Sequence, residues 1–507
     1  MWWWVLGALA AALVLTALYD VTQRRHAVLR NFPVVGHLRY LLERIGPELR
    51  QYIVTGNDQE RPFNRNERRW VYASSKRQNN YFGFGSDNHM DARSGYIVLR
   101  PAVFPYPEAS PPVEAVPCAK VLGGPRGRRL AFRPPSIINV SGMSFGSLSA
   151  NAIEALNRGA ALAGCLHNTG EGGISRHHRH GGDLILQVGT AYFGCRDAQG
   201  RFSMDRLVET VQDSPVRAIE IKLSQGAKPG LGGVLPGAKV TAEIAAARGV
   251  PEGVDCISPN RHSAFDGVDS MLDFVESIAE ATGLPVGIKA AVGSRAFWVE
   301  LAKEMESGAR GVDFVTVDGG EGGTGAAPLV FADHVALPFV SAHARVYSAF
   351  AERGLHERVV FVGSGRLGLP DRASLAFALG TDMVHVARES MLSVGCIQAQ
   401  RCHTGHCPAG VATQSAWLQR GLDPASKGER AGTFIRVLRA SMLKLAHTCG
   451  VAHPGLLTLD HIELLDHGVP RNPWPMFRYQ KGWSLPSPED VRDVTAIMDQ
   501  ALPLAHG

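Results

Sequence analysis

The chain begins with one long apolar run, which differs in character from everything that follows. Residues 2–19 read WWWVLGALAAALVLTALY and contain no charged side chain. A helix of this length is about 27 Å long, just enough to span a hydrocarbon core of about 30 Å. Trp2, Trp3 and Trp4 at one end and Tyr19 at the other fit the aromatic belts of a membrane-spanning helix. The pattern therefore predicts a transmembrane anchor over residues 1–20.

A cleaved signal peptide and a buried hydrophobic helix are the alternatives to an anchor. No basic segment precedes the run, and no convincing small-residue cleavage site follows it. Arg24, Arg25 and Arg30 come soon after the run, and the positive-inside rule places such residues on the cytoplasmic side. We expect a single-pass membrane protein whose catalytic domain is cytoplasmic.

Residues 21–130 show no sustained helical or strand periodicity of apolar residues. A helix is expected after Pro33, where Leu38, Leu41, Leu42 and Ile45 recur on one face. The remainder is polar, aromatic and irregular. A basic juxtamembrane patch on anionic lipid is one interpretation, but the aromatic side chains favour packing on the next domain. We predict an N-terminal extension that packs on that domain.

From residue 135 short β-branched runs alternate regularly with helical patterns. The candidate strands are Ser136–Val140, Leu166–Thr169, Ala218–Leu223, Asp255–Ser258, Val286–Ala290, Phe314–Val317, Val359–Val362 and Met383–Val386. The candidate helices include Leu148–Ala163, Ala238–Arg248, Asp269–Thr282, Ala296–Ser307, Phe339–Arg353 and Arg372–Leu379. Eight parallel strands with crossovers, in roughly 250 residues, predict a (β/α)8 TIM barrel. An open doubly wound sheet with fewer strands is the alternative.

Two segments lie outside this alternation. Leu184–Phe193, between the second and third candidate strands, is interpreted as an inserted β excursion. Residues 415–507 contain an amphipathic helix at Thr433–Ala446 and end in Pro-rich loops. They predict a helical C-terminal extension that caps the barrel.

Composition excludes some functions. The apolar fraction of 45% and the charged fraction of 20% are those of an ordinary globular protein. The net charge is +5, and positive and negative residues are interspersed rather than concentrated in a basic surface. No nucleic-acid partner is therefore expected. Five scattered cysteines indicate reduced thiols rather than a disulfide framework. These are Cys118, Cys165, Cys195, Cys256 and Cys449.

The other three cysteines lie within twelve residues. Cys396, Cys402 and Cys407 follow a C-x5-C-x4-C pattern, with His403 and Pro408 beside the last two. Three thiolates are too few for a four-cysteine site and suit a cluster with three iron corners. Three incidentally spaced core cysteines are the alternative, because free Cys packs as a small hydrophobe. Their close spacing in a chain without secretory features favours a metal or redox site.

Glycine-rich strings follow the sixth and seventh candidate strands. In a barrel of this type the chemistry lies at the carboxyl ends of the strands, and the late loops usually hold a phosphate. Backbone amides without a neighbouring Cβ approach an anion closely, although such glycines also serve as tight turns. A flavin phosphate such as that of FMN fits, since flavins exchange single electrons and hydrides. The candidate phosphate contacts are Gly319, Gly320, Gly322, Gly323, Gly325, Gly363, Ser364 and Gly365.

Three lysines are expected in the same barrel mouth. Burying Lys222, Lys228 or Lys289 without a partner charge costs several kcal/mol. A substrate carboxylate or the flavin edge would serve as the partner, and so would Glu220 or Glu171. Glu171 itself either orients substrate and handles protons or is the structural mate of a lysine.

A histidine-rich string follows the second candidate strand. His177, His178 and His180 lie in the segment RHHRHGG. Histidine is a common zinc ligand, but no fixed scaffold or carboxylate partner is evident from the sequence. We favour a polar loop over a metal site here.

Five strings taken together resemble the flavin-binding synthase domain of glutamate synthase. They are SGMSFGSLS, NTGEGG, IEIKLSQGAKPGLGGVLPG, DGGEGGTGAAP and GCIQAQRCHTGHCPAGVATQ. They run in family order over roughly residues 134–414, which makes the resemblance highly specific. With the anchor and the segment RNFPVVGHLRYLLERIGPELRQY, the chain looks like the stand-alone, membrane-anchored members of that family.

The resemblance implies a function and a set of sites. It implies an FMN-binding (β/α)8 barrel over residues 131–414 with a [3Fe-4S] cluster on Cys396, Cys402 and Cys407. The family reaction is reduction of 2-iminoglutarate, formed from 2-oxoglutarate and ammonia, to L-glutamate. The implied catalytic residues are Glu171, Lys222, Gln225 and Lys228. Besides the glycine loops, the implied cofactor contacts are Ser141, Gly142, Met143, Ser144, Lys289 and Arg388.

The chain departs from the full-length family pattern. We find no segment resembling the amidotransferase domain, the β-helix region or a second nucleotide-binding unit. The nitrogen source is therefore expected to be free ammonia, an amine, or ammonia from a partner subunit. An electron donor or acceptor protein or a membrane carrier is also expected. The alternatives are an amino-acid or hydroxy-acid dehydrogenase that passes electrons to the membrane, and a non-catalytic anchored scaffold.

Overall fold

A computed structural model of the chain describes residues 2–23, 26–81, 83–86, 88–107 and 115–500. The chain divides into two compact units, Met1–Arg68 and Arg69–Gly507. Arg24 and Arg25, on which the predicted orientation depends, lie outside the described residues.

The first unit is helical. Its elements are the helices Trp2–Thr22, Ala27–Asn31 and Gly36–Leu49 and the π-helical turn Arg50–Val54. Within the described part of the chain, Trp2–Thr22 alone is long and apolar enough to cross a membrane, a criterion that a signal sequence also meets. Near its end, Asp20 accepts a hydrogen bond from the Val34 backbone N–H (2.9 Å) and lies 2.9 Å from His37 Nε2. These bonds fix the turn that precedes the helix Gly36–Leu49.

The second unit contains a closed barrel of eight parallel strands, which confirms the predicted fold class. The strands are β1 Ile138–Val140, β2 His167–Asn168, β3 Leu184–Val188, β4 Val216–Lys222, β5 Val286–Ala291, β6 Phe314–Asp318, β7 Val360–Ser364 and β8 Met383–Val386. Each strand pairs in parallel with its neighbours in chain order, and β8 closes the ring on β1. Their carboxyl ends therefore share one mouth.

One predicted strand is wrong. Cys256–Ile257, inside the expected fourth strand, pairs antiparallel with Val234–Leu235 in a separate two-stranded sheet. The barrel instead takes Leu184–Val188, which was interpreted as an excursion. Every residue of that strand is buried, as a parallel barrel strand requires, whereas Ile257 is 66% exposed. Burial on both faces decides which segment joins the barrel.

Helices surround the barrel and flank it at both ends of the unit. The α-helices are Arg65–Ser75, Ala150–Ala163, Met204–Gln212, Ala242–Arg248, Val268–Thr282, Ala296–Met305, Leu329–His334, Phe339–Ala351, Pro370–Ala378, Arg388–Ser393, Ala416–Gln419, Pro424–Thr448, Pro473–Phe477 and Pro488–Asp499. Side-chain caps fix the starts of two helices that adjoin the mouth. Ser149 accepts from the Ala152 N–H, and Thr241 accepts from the Ile244 N–H.

The flanking segments pack on the outside of the barrel. Ser94–Leu99 pairs antiparallel with Ile462–Asp466, which also pairs with Val469–Arg471. The long helix Pro424–Thr448 lies against Ala150–Ala163, so closely that a Cβ on Gly159 would come within 2.5 Å of the Ala431 Cβ. The helix predicted at Thr433–Ala446 is therefore part of a longer one that packs along an outer barrel helix.

Residues ahead of β1 close the other end of the barrel. Cys118 and Leu122 pack with residues near the amino ends of the strands, among them Phe314 and Met383. Between them Lys120 is almost fully buried, and its Nζ donates to the carbonyls of His356 and Val359 at 2.7 and 3.0 Å.

Lys120 also forms a buried ion pair. Its Nζ lies 2.9 Å from Asp382 Oδ2, and that oxygen accepts from the Phe361 N–H at 2.8 Å. Asp382 immediately precedes β8 and Phe361 belongs to β7. The pair therefore joins the plug of the barrel to its last two strands.

Removing the Lys120 ammonium leaves the Asp382 carboxylate without its charge partner. We expect Lys120→Met to lower the free energy of unfolding by about 3–5 kcal/mol, measured by urea denaturation followed by circular dichroism. Arg206→Ala is the control, because Arg206 and Glu209 form a largely exposed pair, whose loss costs at most about 1 kcal/mol. Equal effects of the two substitutions would contradict a stabilising role for the buried pair.

Candidate active site

A cleft with about 490 Å³ of empty space, open to solvent, lies at the carboxyl ends of the barrel strands. Its walls come from the ends of β1, β3, β4, β5, β6, β7 and β8 and from the loops that follow them. The lining residues are Ser141, Gly142, Gln187, Lys222, Gln225, Lys289, Asp318, Gly322, Gly323, Ser364, Gly365, Arg366, His385, Ala387, Arg388 and Glu389.

Ten of the predicted site residues line this cleft. They are Ser141, Gly142, Lys222, Gln225, Lys289, Gly322, Gly323, Ser364, Gly365 and Arg388. Gly319 and Gly320 shape the loop instead, since their N–H groups donate to Ser364 and Leu337 carbonyls at 2.8 and 2.7 Å. Met143, Ser144, Gly325 and Gly363 are likewise outside the lining set.

The loop after β6 and the helix after β8 meet at one wall of the cleft. The Arg388 guanidinium donates to the Glu321 carbonyl, and burial lowers the pKa of Arg388. A Cβ on Gly323 would come within 2.5 Å of Arg388 Cδ, so a larger residue there would displace the arginine side chain. Gly365, opposite, has a φ of +129°, a conformation that glycine adopts readily. This wall combines a cation with exposed backbone, which suits a phosphate.

Lys222 is paired at the end of β4. Its Nζ lies 2.9 Å from Glu171 Oε1 and donates to Gln225 Oε1 at 2.7 Å. Glu171 is thus paired with a lysine, and its role in substrate orientation or proton handling stays a prediction. Glu171 and Lys228 lie beside the cleft rather than in its lining.

Glu171 lies among several cations. Burial raises the pKa of Glu171, but Lys222, Lys228 and Arg248 together outweigh this, and the pKa is lowered. Burial, followed by the charge of Lys222, lowers the pKa of Lys228, while Glu171 opposes that change. The segments after β2 and β4 therefore build one electrostatically coupled group.

Arg248 is a member of this group that sequence reasoning missed. It is 4% exposed, donates to the Phe145 carbonyl at 3.2 Å and lies 5.0 Å from the Phe193 ring centroid. As the last residue of the helix Ala242–Arg248, it resembles any basic residue at a helix end. Only the fold reveals that it turns inward.

The floor of the cleft is a polar layer around Glu220. Its carboxylate accepts from Asn168 Nδ2 (2.8 Å), Gln187 Nε2 (2.6 Å) and Thr316 Oγ1 (2.6 Å). Gln187 was missed because its strand was interpreted as an excursion. The layer holds the Gln187 amide in a fixed position at the base of the cleft.

His385 stands at the same depth and was also missed. Burial lowers its pKa to about 4, so the ring is neutral, and among the described residues neither ring nitrogen has a hydrogen-bond partner. Nearby, Lys289 Nζ lies 3.8 Å from Asp318 Oδ2, which accepts from the Gly226 N–H at 2.8 Å. The protein thus leaves both nitrogens of this buried imidazole unsatisfied.

The cysteine loop follows the helix Arg388–Ser393. Cys407 is buried, and burial together with the charge of Cys407 raises the pKa of Cys402. The Gln398 N–H donates to Cys396 Sγ at 3.4 Å. Gln398 and Gln400 both have left-handed backbones, with φ of 57° and 55°. Such strain in non-glycine residues is typical of ligand clamps.

Contacts from other segments hold this loop. Tyr72 Oη donates to the Cys396 carbonyl at 2.8 Å, and Lys239 Nζ donates to the Cys402 carbonyl at 3.4 Å. A thiol set with an amide aimed at one sulfur fits an iron–sulfur cluster, whose potential depends on such hydrogen bonds.

The coupling between Lys228 and its neighbours predicts opposite effects of two substitutions. Glu171→Gln removes a negative charge and should lower the pKa of Lys228 further. Lys222→Met removes a positive charge and should raise it. Only the neutral amine reacts with acetic anhydride, so the midpoint of Lys228 acetylation, followed by mass spectrometry from pH 7 to 11, should shift down and up respectively. Shifts in the same direction would contradict the coupling.

Comparison with known proteins agrees with the sequence resemblance. Residues 131–452 match the family model described as a conserved region in glutamate synthase. A glutamate synthase large subunit-like protein of Bacillus subtilis, YerD, is 36% identical over 496 residues, covering 90% of this chain and 94% of that protein. An archaeal NADPH glutamate synthase of Methanocaldococcus jannaschii is 36% identical over 317 residues, covering 62% of this chain and 59% of that protein.

The comparison with solved structures gives distant matches. Mandelate oxidase with (S)-4-hydroxymandelic acid is 17% identical, with a TM-score of 0.42 over 71% of this chain and 85% of that one. The chain spans little more than half of the archaeal relative, but nearly all of the Bacillus protein. On the family match and that relative, the chain belongs to the glutamate synthase family.

Proposed function

We propose that this protein is a flavin-dependent oxidoreductase that reduces an imine of 2-oxoglutarate to glutamate or an N-substituted glutamate. The observation that supports this most directly is the cationic group formed by Lys222, Lys228 and Arg248 beside the cleft. It adjoins a wall suited to a phosphate, so substrate and cofactor would meet at one mouth.

The charge of this group matches a dicarboxylate. Lys222, Lys228 and Arg248 carry three positive charges, and Glu171 carries one negative charge, which leaves a formal excess of two. The substrate 2-oxoglutarate carries two carboxylates. Arginine binds carboxylates with paired hydrogen bonds, and a low-dielectric setting strengthens these contacts. Arg248 and Lys228 would therefore bind the substrate carboxylates.

Lys222 and Glu171 would handle the proton. Reduction of an imine adds a hydride to carbon and leaves a proton to be supplied at nitrogen. The Lys222 ammonium would donate this proton to the substrate nitrogen, while Glu171, 2.9 Å away, would keep the lysine oriented and charged. Gln225 accepts a hydrogen bond from the same ammonium and would hold the Lys222 side chain in one orientation.

FMN would occupy the cleft. Gly322, Gly323, Gly365 and Arg388 would hold its phosphate, and His385 with its two available ring nitrogens would face the ring system. Ser364, Lys289, Gln187, Ser141 and Gly142 complete the lining. When bound, FMN supplies hydride transfer to the substrate and single-electron exchange.

Electrons would be relayed through the cysteine loop. Cys396, Cys402 and Cys407 would hold a [3Fe-4S] cluster, which supplies single-electron steps. The helix Trp2–Thr22 would anchor the chain in a membrane, with the barrel in the cytoplasm. Ammonia or an amine would be the nitrogen source, and an electron-carrying protein or membrane carrier would be the redox partner.

The reaction is tested by anaerobic reoxidation. We expect the chemically reduced holoenzyme to be reoxidised by 2-oxoglutarate with ammonium or an amine, followed by flavin absorbance. Arg248→Ala should lose about 1.5–3 kcal/mol of carboxylate binding, which is roughly tenfold or more in apparent affinity. Lys303→Ala, an exposed lysine on an outer helix, should leave the rate unchanged.

Two outcomes would contradict this function. One is failure to reoxidise the flavin with any nitrogen source tried. The other is reduction of the oxidised flavin by amino acids or hydroxy acids alone, which would support a dehydrogenase that delivers electrons to the membrane.

The cluster is tested separately. Cys402→Ser should abolish the iron absorption and electron paramagnetic resonance signal while FMN remains bound, because the phosphate wall belongs to other loops. Cys195→Ser, at a buried cysteine outside the loop, should retain both. Retention of iron by the Cys402 variant would contradict the cluster assignment, and loss of both groups would show that loop and cleft fold together.

A further inference from the structure

The histidine-rich string after β2 is not a solvated polar loop. His177 and His178 are 8% and 0% exposed. His178 is a core residue, since its Nδ1 accepts from the Ser175 N–H at 3.1 Å and its ring packs 5.4 Å from that of His167. His177 and His180 lie in a different setting, beside two carboxylates.

Three potential metal ligands converge here, outside the cleft. One ligand atom each of Glu154, His177 and His180 lies within 4.8 Å of the other two. His180 Nε2 is 3.6 Å from Glu154 Oε2, and donors of a tetrahedral zinc ion lie about 3.3 Å apart, given bonds of about 2.0–2.1 Å. Glu243, outside this group of three, lies beside His177, with its Oε1 2.7 Å from His177 Nε2.

The His177 side chain supplies an independent indication of a ligand. It is nine-tenths buried, and its Nε2 has no hydrogen-bond partner among the described residues. Although 2.7 Å from that nitrogen, Glu243 Oε1 is not aligned to accept from it. A buried imidazole nitrogen that makes no hydrogen bond is suited to serve as a metal ligand.

We propose that Glu154, His177 and His180 bind a divalent transition-metal ion, with Zn²⁺ the best match. Imidazole and carboxylate are ordinary zinc ligands. The Glu154 carboxylate, with Glu243 beside His177, offsets the charge of the ion. A water molecule would complete the coordination of the ion.

Two arginines compete with the ion. Arg158 Nε lies 2.9 Å from Glu154 Oε1, and Arg176 Nε lies 2.8 Å from Glu243 Oε1. Their side chains are 42% and 77% exposed, and such surface pairs contribute only about 0–1 kcal/mol each. Both arginines can turn to solvent when the ion binds.

The metal would join two segments that build the active site. Glu154 lies on the helix after β1, and the histidines lie on the loop that carries Glu171. His177 also contacts Glu243, on the helix that ends at Arg248. Binding would therefore hold the Glu171 loop in a fixed relation to the helix after β1, beside but not within the reaction site. The assignment is independent of the reaction proposed above.

The test uses Co²⁺ as a spectroscopic probe on the full-length protein, prepared without a polyhistidine tag. We expect one equivalent of Co²⁺ to give the intense visible bands of four-coordinate cobalt, and Zn²⁺ to displace them. The difference spectrum between wild type and His180→Ala isolates this site, because any binding to the cysteine loop is common to both. His180→Ala and Glu154→Gln should each lower the affinity by at least about tenfold.

Arg176→Ala separates a metal site from a simple ion-pair cluster. Removing this competing cation should raise the Co²⁺ affinity, the opposite of the effect of His180→Ala. Metal-free melting curves of the variants, compared with wild type, establish that each one folds. Identical cobalt spectra and affinities for wild type and folded His180→Ala would overturn the proposal, as would bands that show cobalt–thiolate charge transfer alone.

Discussion

A carboxylate buried at the centre of a barrel must have every oxygen hydrogen-bonded, and Glu220 meets this requirement through β2, β3 and β6. An unpaired group there would cost several kcal/mol, so the four strands are held in a single register by one side chain. Because side chains alternate along a strand, Lys222, two residues further on, lies on the same face. The satisfied layer at Glu220 thus places the charged layer at the mouth.

The charges at the mouth are divided between two regions. The segments after β2 and β4 contribute Glu171, Lys222, Lys228 and Arg248, whereas the segments after β6, β7 and β8 contribute glycines and Arg388. Burial, followed by the charge of Lys222, lowers the pKa of Lys228, so the charged form of this lysine is disfavoured in the free protein. The arrangement carries an electrostatic cost in the free protein that a bound dicarboxylate would remove. The arrangement that would favour binding of a dicarboxylate therefore lowers the stability of the free protein in this region.

Much of the fold is predictable because apolar residues recur at different intervals in strands and in helices. Seven of the eight expected strands overlap barrel strands, in the expected order, and Met383–Val386 has the predicted bounds. The error at Leu184–Val188 arose because β2 is only two residues long, so the chain returns to the barrel sooner than an even alternation suggests. The periodicity of apolar residues predicts the interior of a helix or strand and says little about a strand of two residues.

The site residues that the sequence missed share one property. Arg248, His385, Gln187 and Glu243 belong to no glycine string or cysteine cluster, and each is important only through what faces it in three dimensions. Local motifs identified the backbone that approaches an anion, because glycine is favoured wherever a Cβ would collide, as at Gly323 beside Arg388. Side chains on helices and strands leave no comparable pattern in the local sequence, so their place in the site cannot be predicted from it.

This distinction bears on how the mouth is held together. The wall of the cleft at Arg388 is fixed locally, by tight glycine turns and by the bond from Arg388 to the Glu321 carbonyl. The charged group around Glu171 depends on the meeting of distant segments: a loop after β2 and a helix that begins at a Thr241 cap and ends at Arg248. No covalent link joins these two segments, so direct contacts must hold them together. The contact between His177 and Glu243 lies where they meet. The histidine-rich string therefore acts on the site by position, from the outside of the barrel.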